Sequence, residues 1–168
     1  MVKTYAFIDA SNIIYGTRDE GWKVDFKKLF KYLKERYMCK KMFYFAGLDK
    51  NNKKQLKFYK KLEEFGFELV LKPVKIYTQP DGSKVRKANC DVDLTFYTMR
   101  DKDKFDKGIF MTGDGDFFIM LDYLMKQKKQ VLVIANGKRT ARELKQLTKG
   151  GFTDLELIRR FVALKQKK

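Results

Sequence analysis

The chain contains no histidine. That excludes a Ser-His-Asp triad, a Cys-His nucleophile pair, a paired-histidine acid–base mechanism and every His-ligated metal site. Cysteine is scarce as well. Cys39 and Cys90 are far apart, form no Cys-x-x-Cys and cannot build a structural zinc site alone, so they are expected as free thiols. No apolar run approaches the roughly 18–20 residues of a membrane span. The first segment, MVKTYAFIDASN, meets an Asp too early to be a signal-peptide core. These features predict a soluble, cytoplasmic protein. The last deficit is negative charge. There are 21 Asp+Glu against 38 Lys+Arg, a formal net charge of +17 on 168 residues. Such an excess attracts polyanions, nucleic acid first and anionic membrane second.

What is present is globular. At 44% hydrophobic and 15% aromatic residues the chain is too apolar for disorder despite its charge. A chain of this length buries about 70% of its unfolded surface without disulfide staples. No repeat or Pro/Ser-rich linker divides it, so a single domain is expected over residues 1–160, followed by a basic tail at 161–168.

Short apolar runs alternate with helix-period segments. Strands are expected over Tyr5–Ile8, Met42–Phe45, Glu68–Leu71, Ile109–Thr112 and Val131–Ile134. Phe26, Leu29, Phe30, Leu33 and Tyr37 form one helical face after Asp25. Asn51 or Asn52 caps a second helix, which Gly66 ends. Pro80-Asp81-Gly82 between extended segments predicts a hairpin. Helices follow at Asp91–Arg100 and from Phe117. Thr140-Ala-Arg-Glu143 and Thr153-Asp-Leu-Glu156 match the capping box and are each expected to open a helix. Continuous apolar strands alternating with helices predict a three-layer α/β/α, Rossmann-like domain with a mainly parallel central sheet. Ligands of such sheets bind beyond the carboxyl ends of the strands, where strand order reverses.

Aspartates gather where that edge should be. Asp9 ends the first strand. Asp114 and Asp116 follow Thr112-Gly113 after the fourth predicted strand, and Asp91 and Asp93 stand at a helix start. Of the 21 acidic residues 14 are Asp, whose short side chain suits coordination from a loop. Carboxylates that converge need either Lys/Arg or a divalent cation to offset their repulsion. Mg²⁺ uses a few carboxylates, waters and substrate phosphates. Such a site can produce hydroxide and orient a phosphodiester. Simple capping competes as an explanation for Asp91 and Asp116. It is weaker for Asp9, which has no evident helix after it. Asp91 and Asp93, two apart, point in different directions on a regular helix.

Asp9-x-x-Asn12, Lys87-x-x-x-Asp91-Val-Asp93-Leu94 and Thr112-Gly-Asp114-Gly-Asp116-Phe117, in this order and spacing, resemble the NYN domain, a family of the PIN-like nuclease superfamily, and its LabA-like branch in particular. The likeness runs from about Thr4 to about Ile158. It implies a PIN-like fold and a metal-dependent (endo)ribonuclease, a phosphodiester hydrolase using Mg²⁺ or Mn²⁺. It implies Asp9, Asp91, Asp114 and Asp116 as catalytic and metal-binding residues, with Asp93 as a further ligand. Asn12 would orient Asp9 or a ligand water, and Thr112 would support the acidic loop. Read from its position alone, Lys87 either neutralises Asp91 or contacts the substrate. Asn89 stands where the family often has Gly.

RNA contacts are expected from Lys75, Arg86 and Lys87 on the hairpin and from Lys138, Arg139 and Arg142 around a helix start whose N-terminus also receives a phosphate. Tyr77 and Trp22 are candidates for stacking on bases. RNA is thus the expected partner, with no membrane and no small-molecule organic cofactor; a homodimer stays open. The alternative is a non-catalytic RNA-binding or regulatory module of the same fold. A haloacid dehalogenase-like phosphatase fits poorly, because Ser11 stands where that pattern has its second Asp.

Overall fold

The computed structural model describes residues 2–165, and of 85–87 the backbone alone. The chain forms β1 (Thr4–Asp9), α1 (Ala10–Asp19), α2 (Phe26–Tyr37), β2 (Cys39–Leu48), α3 (Lys53–Phe65) and β3 (Glu68–Pro73). A hairpin of β4 (Lys75–Thr78) and β5 (Lys84–Lys87) follows. Then come α4 (Asp91–Arg100), β6 (Lys107–Met111), α5 (Phe118–Lys126), β7 (Gln130–Ala135), α6 (Arg142–Leu147), β8 (Phe152–Asp154) and α7 (Arg159–Val162). Six strands make one parallel sheet in the order β3-β2-β1-β6-β7-β8. Strand order reverses between β1 and β6, so a crevice opens beyond the carboxyl ends of these two neighbours.

Strand alternation divides the core. Ala6, Ile8, Met42, Tyr44, Ile109 and Met111 face the layer of α1, α2 and α3. Tyr5, Phe7, Phe43, Phe110 and Val133 face α4, α5 and α6. On that second side Phe7 stacks between Phe43 and Phe110, at 5.4 and 5.2 Å between ring centroids. The three rings belong to register partners on β2, β1 and β6. They fix the central strands two residues below Asp9.

Several expectations change. α1 follows β1 at once, and the Asp9 carboxylate caps it by accepting from Asn12 N–H. The helix was hidden because its buried face is Ala10, Ile13, Gly16 and Thr17, mostly small residues with little apolar period. The capping box at Thr140 does not form. Its hydroxyl donates to Asn136 O, and α6 starts at Arg142 with no side-chain cap. At six residues α6 is also too short to offer the expected phosphate-binding N-terminus. Thr153 lies in β8, and Asp154 caps the 3₁₀ turn Leu155–Ile158 instead. The boundary expected at residue 160 falls within packed chain: Val162 is buried and Ala163 bridges to Val24. Residues 166–168 of the expected tail lie outside the described residues. Trp22 is buried in the core and offers no face to a base.

Candidate metal centre

The loop after β6 is short and tightly held. Thr112, fully buried, donates its hydroxyl to Asp9 Oδ2 at 3.2 Å and accepts from Asp114 N–H at 3.3 Å. Asn12 Oδ1 accepts from Gly113 N–H at 3.0 Å. One hydroxyl thus ties the end of β1 to the acidic loop, and one amide from α1 holds the loop from the other side. Gly113 is needed for this closeness, since a Cβ there would lie 2.6 Å from Thr140 Oγ1 and 2.9 Å from Thr140 Cα. Asp114 then caps the 3₁₀ turn Gly115–Phe117 by accepting from Asp116 N–H at 3.0 Å, so Asp114 rather than Asp116 performs the capping.

α4 supplies the opposite wall. Its N-cap, Cys90, makes no side-chain cap bond, and Asp91 is the first helical residue. Asn89 Oδ1 accepts from Asp91 N–H at 2.8 Å. The result is a group of three carboxylates, Asp91, Asp114 and Asp116, each offering an oxygen within 4.8 Å of the others. Such a group could hold a metal ion. Asp91 is held above the usual carboxylate range, chiefly by burial, then by repulsion from Asp9 and Asp114 and, more weakly, Asp116; a hydrogen bond from Asn89 partly opposes this. A divalent cation is the natural counterweight to such repulsion, and hard carboxylate oxygens suit one.

Asp9, nine-tenths buried, is not one of this group of three but lines the same groove as Asp91 and Asp114. Its Oδ1 accepts from Ser11 Oγ at 2.8 Å and from Asn12 N–H at 3.2 Å. Asp9, Asn12, Asp91, Asp114 and Arg139 line one open groove of about 370 Å³. Asp93 is not brought to it: its carboxylate pairs with Lys72 at 2.7 Å. Asn12 bonds to Asp9 through its backbone, while its side chain serves Gly113.

The basic candidates are spread around the groove. Arg139, on the loop after β7, lines it and pairs with Asp19 at 2.6 Å. Asn136 Oδ1 accepts from the backbone N–H of both Lys138 and Arg139 and so shapes that loop. Lys138, Arg142, Lys75 and Tyr77 are exposed. The side chains of Arg86 and Lys87 lie outside the described residues. Two neighbours escaped the sequence reading. Ser11 fixes Asp9, and Glu143 reaches the acidic loop, where a Cβ on Gly115 would come within 2.5 Å of its Oε1. The Gly between two Asp was the available signal for that close approach.

The NYN domain matches residues 3–156. The chain belongs to the NYN domain family. This is a PIN-like nuclease family, and the acidic group described above stands in its fold. Over 160 residues the chain is 26% identical to the low amplitude and bright protein LabA of Synechococcus elongatus, covering 93% of this chain and 85% of that one. A crystal structure of a Vibrio parahaemolyticus protein of unknown function shares the fold, with a TM-score of 0.80 and 22% identity over 97% of this chain and 96% of that one. No helix among the described residues is long and apolar enough to cross a membrane.

Proposed function

We propose that this NYN domain is a divalent-metal-dependent ribonuclease that hydrolyses phosphodiester bonds of single-stranded or structured RNA. The observation that carries the reading is the meeting of Asp91, Asp114 and Asp116 at the reversal of strand order, with Asp9 lining the same groove as Asp91 and Asp114. These residues would hold Mg²⁺ or Mn²⁺. When bound, the ion supplies Lewis acidity toward a phosphate oxygen and a more acidic water.

The chain's own residues do the rest. Thr112, Ser11 and Asn12 fix Asp9, so its orientation does not depend on a ligand. Asp116, the most exposed of the three, is the one that can accept a proton from attacking water. In-line attack breaks the P–O3′ bond and leaves a 5′-phosphate and a 3′-hydroxyl. Arg139 beside the groove, with Lys138, Arg142, Lys75, Arg86 and Lys87, holds the RNA backbone; the net charge of +17 recruits it.

The test is cleavage of end-labelled single-stranded RNA with Mn²⁺, with EDTA and by the Asp114→Asn variant. Cleavage in the first condition alone is expected. Equal cleavage in all three overturns the reading. RNA bound in EDTA but never cut with Mn²⁺ would favour the non-catalytic RNA-binding module instead.

A further inference from the structure

A second cavity opens directly beside the carboxylate groove. It encloses about 300 Å³, at the lower end for ligand pockets and suited to a single ring system. One wall is a face of α1, whose Ser11, Ile14, Tyr15 and Arg18 fall at i, i+3, i+4 and i+7. The other wall is a face of α3, where Gln55, Phe58 and Tyr59 fall at i, i+3 and i+4. β2 forms the floor, and the foot of the hairpin closes one side. Gly47 lets that foot approach, because a Cβ there would meet Ala88 Cβ at 2.7 Å and Val74 Cγ2 at 2.9 Å.

Three features point to an aromatic, polar-edged ligand. Tyr15 is half exposed and lines both this pocket and the carboxylate groove, so it forms the partition between them. The Arg18 guanidinium lies over its ring, 5.5 Å from the centroid, and makes that partition cationic. Tyr44, on the floor, is fully buried, yet its hydroxyl has no hydrogen-bond partner among the described residues. An unpaired buried hydroxyl is costly. Gln55 Oε1 already accepts from Asp49 N–H, which leaves its amide NH₂ as the donor it can offer.

We infer that this pocket receives one nucleobase of single-stranded RNA, that of the nucleotide next to the scissile phosphate, with Tyr15 as its stacking surface. The inference rests on the ribonuclease reading for the identity of the strand. The pocket shares Ser11, Tyr15, Ala88 and Cys90 with the carboxylate groove, so a base seated in it has its own phosphate beside the acidic group. Arg18 also lines a further cleft of about 820 Å³, which shares no lining residue with the carboxylate groove. Lys23, Arg159 and Lys165 line that cleft and give the next phosphates a cationic path away from the site.

The test uses single-stranded RNA carrying 2-aminopurine at successive positions, bound to the full chain in EDTA so that no cleavage occurs. One position should show quenched fluorescence. The quenching should be lost in Tyr15→Ala and kept in Tyr15→Phe. Affinity should fall about 5- to 160-fold in Tyr15→Ala, the range for one base–aromatic stack. An abasic residue at the quenched position should reproduce that fall with the wild-type protein, independently of any folding defect. Cleavage with Mn²⁺ that ignores both Tyr15→Ala and the abasic residue overturns this inference and leaves the ribonuclease reading intact. Absence of RNA binding by wild type at low salt overturns both.

Discussion

Thr112 is the joint of the acidic loop, and removing its hydroxyl alone tests whether the loop is built as described. Thr112→Val keeps the shape but loses two contacts, the 3.2 Å bond to Asp9 Oδ2 and the 3.3 Å bond from Asp114 N–H. The first involves a carboxylate and is worth about 1.5–3 kcal/mol; the second is a neutral bond worth about 1 kcal/mol. Both are longer than ideal, so the combined loss should be about 2 kcal/mol. In a domain of this size that lowers Tm by about 4–8 °C. Thr112→Ser retains the hydroxyl and loses only a buried methyl, so its Tm should fall by about 2–4 °C with Mn²⁺ affinity kept. The decisive assay pairs thermal unfolding with Mn²⁺ titration. The Val variant should lose affinity for Mn²⁺ beyond its loss of stability, because Asp9 and Asp114 no longer share an anchor. A Val variant with wild-type Tm and wild-type Mn²⁺ affinity would refute the reasoning.

Further predictions concern the scaffold and the substrate. Asp101 is buried and hydrogen-bonded by Arg100 at 2.7 Å and Lys104 at 2.8 Å, which hold its carboxyl down at about 2 against an ordinary 3.8. A lowered folded-state value contributes stability above about pH 4 that is lost as pH falls from about 4 toward 2. After allowance for the exposed Arg and Lys heads this is about 1–2 kcal/mol, so acid titration of Asp101→Asn should show lower neutral stability and a shallower acid transition. Gly113→Ala should displace the acidic loop against Thr140 and cost about 1–3 kcal/mol together with metal binding, read by calorimetry. RNA affinity should fall steeply between about 50 and 200 mM salt, as phosphate contacts require, and a flat response would contradict a basic RNA surface.

Most of the fold was legible because its signals are local. Each central strand is a continuous apolar run, Asp25 and Asn52 cap helices, and Gly66 ends one at φ 107°. Asp9, Asp114 and Asp116 could be assigned to one edge because they follow such runs, whereas Asp91 was assigned from its helix start. What stayed hidden depends on contacts between segments. α1 packs through small residues against Asn136, where Gly16 O accepts from Asn136 Nδ2 at 3.2 Å, and no apolar period announces it. Thr140 reads as a cap, but its hydroxyl donates to Asn136 O at 2.6 Å instead. Spacing on the helix already sets Asp93 apart from Asp91, but its partner, Lys72 on β3, comes from a distant segment. The base pocket needed α1 to be seen at all, since half of its wall is that helix.

The central claim is that Asp91, Asp114 and Asp116 form one divalent-metal centre from which Asp93 is excluded. Isothermal titration of Mn²⁺ into wild type and four single Asp→Asn variants measures it most directly. The account predicts binding by wild type and by Asp93→Asn, and weakening of about tenfold or more in Asp91→Asn, Asp114→Asn and Asp116→Asn. No Mn²⁺ uptake by wild type, or loss of binding in Asp93→Asn with the other three unaffected, would contradict it.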